Sequence, residues 1–277
     1  MPHSTGSFNG LYDTLIFTQQ WLPDTPPHAG VIIVHGIAEH SGRYERVAQR
    51  LNARGYACYA LDHRGHGHSQ GPRTDVAAFE DYVADLRTYY ELIRRSEPDL
   101  PIFLYGHSMG SLIALLYALR HQTELAGLII SGVPLRLPAT NAVTRVLVGG
   151  VARVLPHLHA IRIDPNGISR DPAVVQAYTT DPLVDHKPIR LGMIAGIIRA
   201  GQQIEAQLGT LRLPFLVLHG GDDPISLPAG VESVRALSGS PDTTIKSYAG
   251  LFHEIHQEAE WETVLDDITA WLVAHLP

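Results

Sequence analysis

Short apolar runs alternate with helical patterns along most of the chain, and this alternation restricts the fold more than any other feature. Residues 31–34, 56–61, 102–105, 127–130, 215–218 and 243–247 read as strands. Between the first two, Tyr44, Val47, Ala48 and Leu51 share a helical face opposite Arg46, Arg50 and Arg54, and Gly55 stands at the helix C-cap. Phe79, Tyr82, Val83, Leu86, Tyr90 and Ile93 make a second helical stripe, stopped by Pro98. Residues 109–121 are helical and apolar almost all round, the mark of a buried helix. Trp261, Val264, Leu265, Ile268, Trp271 and Leu272 give a last amphipathic helix. Strand–helix alternation of this kind predicts an α/β fold, a mostly parallel central sheet with helices on both faces and right-handed crossovers.

The rhythm breaks over residues 135–211. Helical fragments at 143–155 and 189–208 are interrupted by Pro156, Pro165, Pro172, Pro182 and Pro188, and no strand is expected there. This stretch reads as an inserted helical cap over a core of residues 1–134 and 212–277. At 277 residues the core needs no staple. The single cysteine, Cys58, excludes an internal disulfide and a cysteine-rich zinc site. A net charge of −7 gives no footprint for nucleic acid, which is not expected as a partner. Residues 1–9 lack a basic, then apolar, leader pattern, and no apolar stretch is long enough to span a bilayer. A cytoplasmic protein is the expectation.

The third strand runs into Gly106-His107-Ser108-Met109-Gly110, and a helix follows at once. This is G-x-S-x-G in the context its mechanics require: strand, sharp turn, helix. The turn pushes Ser108 out at the carboxyl edge of the sheet. An unassisted serine hydroxyl is a weak nucleophile, so a base must lie close by.

Three segments carry a resemblance: His35-Gly-Ile-Ala-Glu-His-Ser-Gly-Arg-Tyr44, Asp62-His-Arg-Gly-His-Gly-His-Ser69 and Gly106-His-Ser-Met-Gly110. Together they resemble the monoacylglycerol lipase and lysophospholipase branch of the α/β-hydrolases. The likeness runs over nearly the whole chain and is weakest from 138 to 170. In that fold the triad order is Ser, acid, His. The strand at 215–218 is followed by His219-Gly-Gly-Asp-Asp-Pro224, and the strand ending near Tyr248 by Ala249-Gly-Leu-Phe-His253. Both sites lie past strand ends, where ligands bind in open α/β sheets. His253 is the expected general base and Asp222 or Asp223 the acid that orients it. The family pattern G-x-x-D, counted from Gly220, selects Asp223. The oxyanion hole is expected from the backbone amides of Ile37 and Met109. Ile37 is bulky for its position and narrows the acyl side.

Asp62-His63-Arg64-Gly65-His66-Gly67-His68 invites a metal reading, yet it also matches the family loop D-x-R-G-x-G-x-S, in which the histidines fill variable positions. No metal and no cofactor are expected. His253-Glu-Ile-His256 spaces its histidines by three and is not the zinc-protease motif. By the resemblance, His256, Glu39, Arg43 and the cap's Tyr178 lie near the glycerol head group. In the cap, Ile189, Met193, Ile197 and Ile204 recur at near-helical spacing. They either meet lipid, giving a peripheral membrane contact, or pack on the core.

The expectation is a serine hydrolase of carboxylic esters, with a monoacylglycerol or similar small lipid ester as substrate. A lysophospholipase or a broad carboxylesterase is the alternative within hydrolases. A catalytically inactive relative acting as a ligand receptor would be expected to lack a triad member, and all three candidates are present.

Overall fold

The alternating segments close into one eight-stranded sheet. The computed structural model describes residues 2–138 and 141–277; residues 1, 139 and 140 of the expected core and cap spans lie outside the described residues. The chain opens with β1 (His3–Asn9) and β2 (Leu15–Trp21), followed by β3 (Ala29–Val34), α1 (Glu45–Asn52) and β4 (Tyr56–Leu61). Next come α2 (Glu80–Ser96), β5 (Ile102–His107), α3 (Met109–His121) and β6 (Gly127–Ser131). The cap contributes α4 (Ala142–Val154), β7 (His159–Ile161), α5 (Pro172–Thr180), β8 (Ile189–Arg190) and α6 (Leu191–Gln207). The core resumes with β9 (Phe215–Gly220), α7 (Ala229–Leu237), β10 (Thr243–Tyr248) and α8 (Trp261–Ala274).

Strand order is β1-β2-β4-β3-β5-β6-β9-β10. From β4 to β10 every pairing is parallel, while β2 runs antiparallel to both β1 and β4. The inner strands are buried on both faces, which is why they read as continuous apolar runs. Alternate residues serve opposite layers. Ile32, Val34, Ile102 and Leu104 face the layer of α2, α3, α6 and α7, whereas Val31, Ile33, Phe103 and Tyr105 face that of α1 and α8. Buried between sheet and cap, α3 has apolar residues on every side.

Two features depart from the sequence reading, and a third decides between its alternatives. The polar start of the chain forms the β1–β2 hairpin, whose first strand is almost wholly exposed and is held by its backbone ladder. Inside the cap, β7 and β8 form a short antiparallel pair where no strand was expected. Helix α6 is present, but Ile189, Met193, Ile197 and Ile204 are all buried in the main core cluster against α3. They do not meet lipid. The exposed apolar stripe of the cap lies on α4, whose N-terminus is fixed by a capping box between Asn141 and Thr144.

Helix α6 also serves as the crossover that returns the chain from the end of β6 to the start of its parallel neighbour β9.

Candidate active site

Strand β5 and helix α3 meet at Ser108, which sits at φ 51°, ψ −123°. A non-glycine residue there costs on the order of 1–3 kcal/mol and persists only where its surroundings over-determine it. The surroundings are tight. A Cβ on Gly110 would lie 2.0 Å from the Val34 carbonyl oxygen, and one on Gly106 would lie 2.5 Å from that of Gly110. The Ser108 amide donates to the Ser131 carbonyl at 2.9 Å, tying the turn to β6.

The expected acid and base come from the loops after β9 and β10. His253 Nδ1 and Asp223 Oδ2 are 2.7 Å apart and both side chains are buried. The other oxygen of Asp223 accepts from the Ile225 and Ser226 amides at 2.8 and 2.9 Å. Burial pushes the carboxyl up, but His253 and these amides outweigh it and hold the Asp223 pKa below its usual value. For His253 burial acts downward, and the Asp223 charge and hydrogen bond prevail, so its pKa is raised. Asp222 is exposed on the same turn, its amide bonded to the Leu251 carbonyl. With Nδ1 on Asp223, Nε2 of His253 is left free for a proton from elsewhere.

Ser108 and His253 line one small cavity with Gly36, Ile37, Glu39, Tyr178 and Glu254. Its volume is about 30 Å³. Ile37, Ile163, Ile168 and Ile225 form its apolar wall. After β3 the chain turns through Ala38 at φ 66°, which brings the Glu39 carboxylate back onto the Gly36 amide at 2.5 Å. Ile37 lies between them. Among the described residues neither its amide nor that of Met109 donates to a protein acceptor, so both remain available at this edge of the sheet.

The resemblance-derived head-group residues separate into two sets. Glu39 and Tyr178 face the cavity. Arg43 stands behind them: it donates to Glu39 Oε2 at 3.3 Å and to Glu254 Oε2 at 2.5 Å, with its guanidinium 4.8 Å over the Tyr178 ring. His256 is not part of the cavity wall. It is 1% exposed, stacked on Tyr44 and edge-on to His107, with both ring nitrogens buried and unpartnered. Burial, then Arg43 and His253, push its pKa down to about 3. Glu254, unassigned in the sequence reading, belongs to the site; its only signal was its place beside His253. Glu39 is pushed up to about 7 by burial and by the Glu254 charge, against the pull of Arg43, Tyr44 and the Gly36 amide.

The histidine-rich loop is structural. His63 and His66 pack with His35 beneath β3, each ring bonded to a backbone carbonyl. Asp62 accepts from the Ser41 and His68 amides, and Arg64 pairs with Asp85 at 2.7 Å.

A serine on a strand–turn–helix elbow, at the carboxyl edge of a sheet of this topology, defines an α/β-hydrolase. The chain belongs to the Hydrolase_4 family, described as serine aminopeptidase, S33, which matches residues 25–260. It is 40% identical over 280 residues to the monoacylglycerol lipase of Mycolicibacterium smegmatis, covering 99% of this chain and 98% of that one. The solved monoacylglycerol lipase of Paleococcus ferrophilus superposes with a TM-score of 0.83 at 30% identity, covering 94% and 99% of the two chains. A soluble variant of the Saccharomyces cerevisiae monoglyceride lipase, in complex with a substrate analog, gives 0.89 at 26% identity and covers 100% and 96%. These similarities bear out the resemblance and the α/β-hydrolase fold, and the protein is a serine ester hydrolase.

Proposed function

We propose that the protein hydrolyses monoacylglycerols to fatty acid and glycerol through an acyl-enzyme on Ser108. The reading is carried by one observation: His253, held by Asp223 at 2.7 Å, stands in the wall of the cavity that holds Ser108. Ser108 Oγ attacks the ester carbonyl while Nε2 of His253 takes its proton. The Ile37 and Met109 amides hold the oxyanion. Collapse of the tetrahedral intermediate expels glycerol, which leaves with the proton from His253. Water, deprotonated by His253, then attacks the acyl-enzyme and frees the fatty acid and Ser108.

The substrate class follows from the cavity walls and from the relatives' names. Ile37, Ile163, Ile168 and Ile225 suit an acyl chain, and Glu39, Tyr178 and Glu254 suit a small polyol. Glycerol hydroxyls can hydrogen-bond to these groups, whereas a diacylglycerol leaving group would have to fit two more chains into the same space. A hydrogen bond to a charged group is worth about 1.5–3 kcal/mol, so two of them made by the polyol support discrimination of about 10²-fold or more. At about 30 Å³ the cavity admits neither portion until the cap wall of Ile163, Ile168 and Tyr178 is displaced.

The cap meets the lipid surface through α4. Val143, Val146, Leu147, Val151 and Val154 repeat at helical spacing and point to solvent, Val146 and Val154 being 75% and 79% exposed. Leu155, Leu158 and Ile161 continue the exposed apolar surface toward Ile163 in the cavity wall. Among the described residues no helix is long and apolar enough to cross a membrane, so this contact is peripheral.

The test is kcat/KM on mono-oleoylglycerol, triolein and p-nitrophenyl butyrate, together with the intact mass after a fluorophosphonate probe. A preference for the monoglyceride of about 10²-fold and a single adduct on Ser108 are expected. Triolein cleaved equally fast would remove the polyol site, and an adduct elsewhere would remove Ser108.

A further inference from the structure

Two loops that must keep register with each other converge on Ser108, and one buried side chain holds both. The loop after β3 supplies the Ile37 amide, and the loop after β10 supplies His253. Neither is fixed by the sheet ladder at that point. Glu39 belongs to the first loop and grips it from inside, accepting the Gly36 amide at 2.5 Å and the Tyr44 hydroxyl at 2.8 Å through the same oxygen. Glu254 belongs to the second loop, directly after His253, and its amide donates to the Ile168 carbonyl at 2.7 Å.

Arg43 lies between the two carboxylates. Its Nε donates to Glu39 and its terminal nitrogen to Glu254. All three side chains are at least nine-tenths buried. Gln257 Nε2 donates to the Arg43 carbonyl at 2.8 Å, and Tyr178 covers the guanidinium. A planar guanidinium presents donors in a fixed fork, so its two partners cannot move independently. An ammonium is a point charge on a flexible stem and imposes no such relation.

We infer that Arg43 is a positioning residue: by gripping Glu39 and Glu254 together, it locks the oxyanion loop to the His253 loop, so that the Ile37 amide and the His253 imidazole keep one geometry about Ser108. This rests on the roles proposed above for those groups and departs from the head-group role that the resemblance implied for Arg43. A residue that grips the alcohol acts on substrates that carry glycerol. A residue that sets the oxyanion amide acts on every ester.

The experiment is steady-state kinetics of Arg43→Met, Arg43→Lys and Glu254→Gln on mono-oleoylglycerol and p-nitrophenyl butyrate, with thermal melting of each. Arg43→Met is expected to lose about 10²-fold in kcat on both esters with KM nearly unchanged, the scale of a misplaced oxyanion donor. Arg43→Lys is expected to recover the melting temperature and not the kcat. Glu254→Gln keeps the shape and one acceptor, and is expected to fall between parent and Arg43→Met on both esters. If Arg43→Met fails to fold, the Arg43→Lys and Glu254→Gln pair decides alone. A loss confined to the monoglyceride, a loss carried by KM, or full kcat in Arg43→Lys would overturn the inference. A parent enzyme that turned over neither ester, or labelled away from Ser108, would instead defeat the underlying reading.

Discussion

Replacing His256 by phenylalanine should make the protein markedly more acid-resistant. In the fold this imidazole is wholly buried, stacked on Tyr44 and held neutral down to about pH 3, burial being the main cause. Unfolded, it titrates near the ordinary 6.5 of histidine. The folded pKa is depressed, so below 6.5 the unfolded chain binds a proton that the native chain refuses. The stability at stake is present above 6.5 and is lost as pH falls toward the folded value. At pH 5 the gap is roughly 1.5 units, each about 1.4 kcal/mol, or about 2 kcal/mol for this side chain. His66, pushed down to about 4 by burial, adds in the same direction, as do His35, His63 and His107. The parent should therefore lose stability steeply between pH 7.5 and 5. A phenyl ring keeps the stack and removes two nitrogens that have no partners. Urea unfolding of parent and His256→Phe at both pH values measures the difference in slope, expected at about 2 kcal/mol. In melting temperature this is about 4–8 °C. Parallel curves for the two proteins would refute the reasoning, since the imidazole would then titrate alike in both states.

Asp223→Asn should lose roughly 10⁴-fold in kcat as the His253 tautomer is mis-set, while Asp222→Asn, on the exposed side of the same turn, should stay within about tenfold; equal losses would reassign the acid. His253 must be neutral to accept a proton and its pKa is raised, so kcat/KM should climb with pH through a midpoint above 6.5. A midpoint below that value would mean that Asp223 does not govern the imidazole. Val146→Glu with Leu147→Glu should abolish co-sedimentation with lipid vesicles and leave p-nitrophenyl butyrate turnover intact; undiminished binding would take the membrane contact away from α4.

The inner strands were legible because burial on both faces leaves no polar residue to blur an apolar run such as Val31-Ile32-Ile33-Val34. The elbow was legible because Gly106 and Gly110 are demanded by backbone contacts that no side chain can share. The β1–β2 hairpin was not. Its first strand is exposed except at Phe8, which packs on Tyr89, and it is stabilised mainly by main-chain bonds, which leave no mark in residue type. Helical spacing identified both α4 and α6 but was silent on what each apolar face meets, and so it left lipid contact and core packing equally open for α6. In the same way, the resemblance placed Arg43 and His256 near the alcohol. Whether a side chain faces the cavity or stands one layer behind it depends on partners such as Glu254 and Tyr44, which come from other segments of the chain.

The double duty of α6 sets the mechanics of access. As the return arm between β6 and β9, packed on the helix that begins beside Ser108, it cannot swing without dragging that helix. It is a fixed post. Ahead of it in the chain, α4 packs directly on this post, with Val148 and Ala152 against Leu191 and Ala195, and the short β7–β8 ladder ties the next segment to its start, His159 opposite Arg190 and Ile161 opposite Ile189. The exposed stripe of α4 and the cavity-lining Ile163 therefore hang from the same post, one before and one after β7 in the chain.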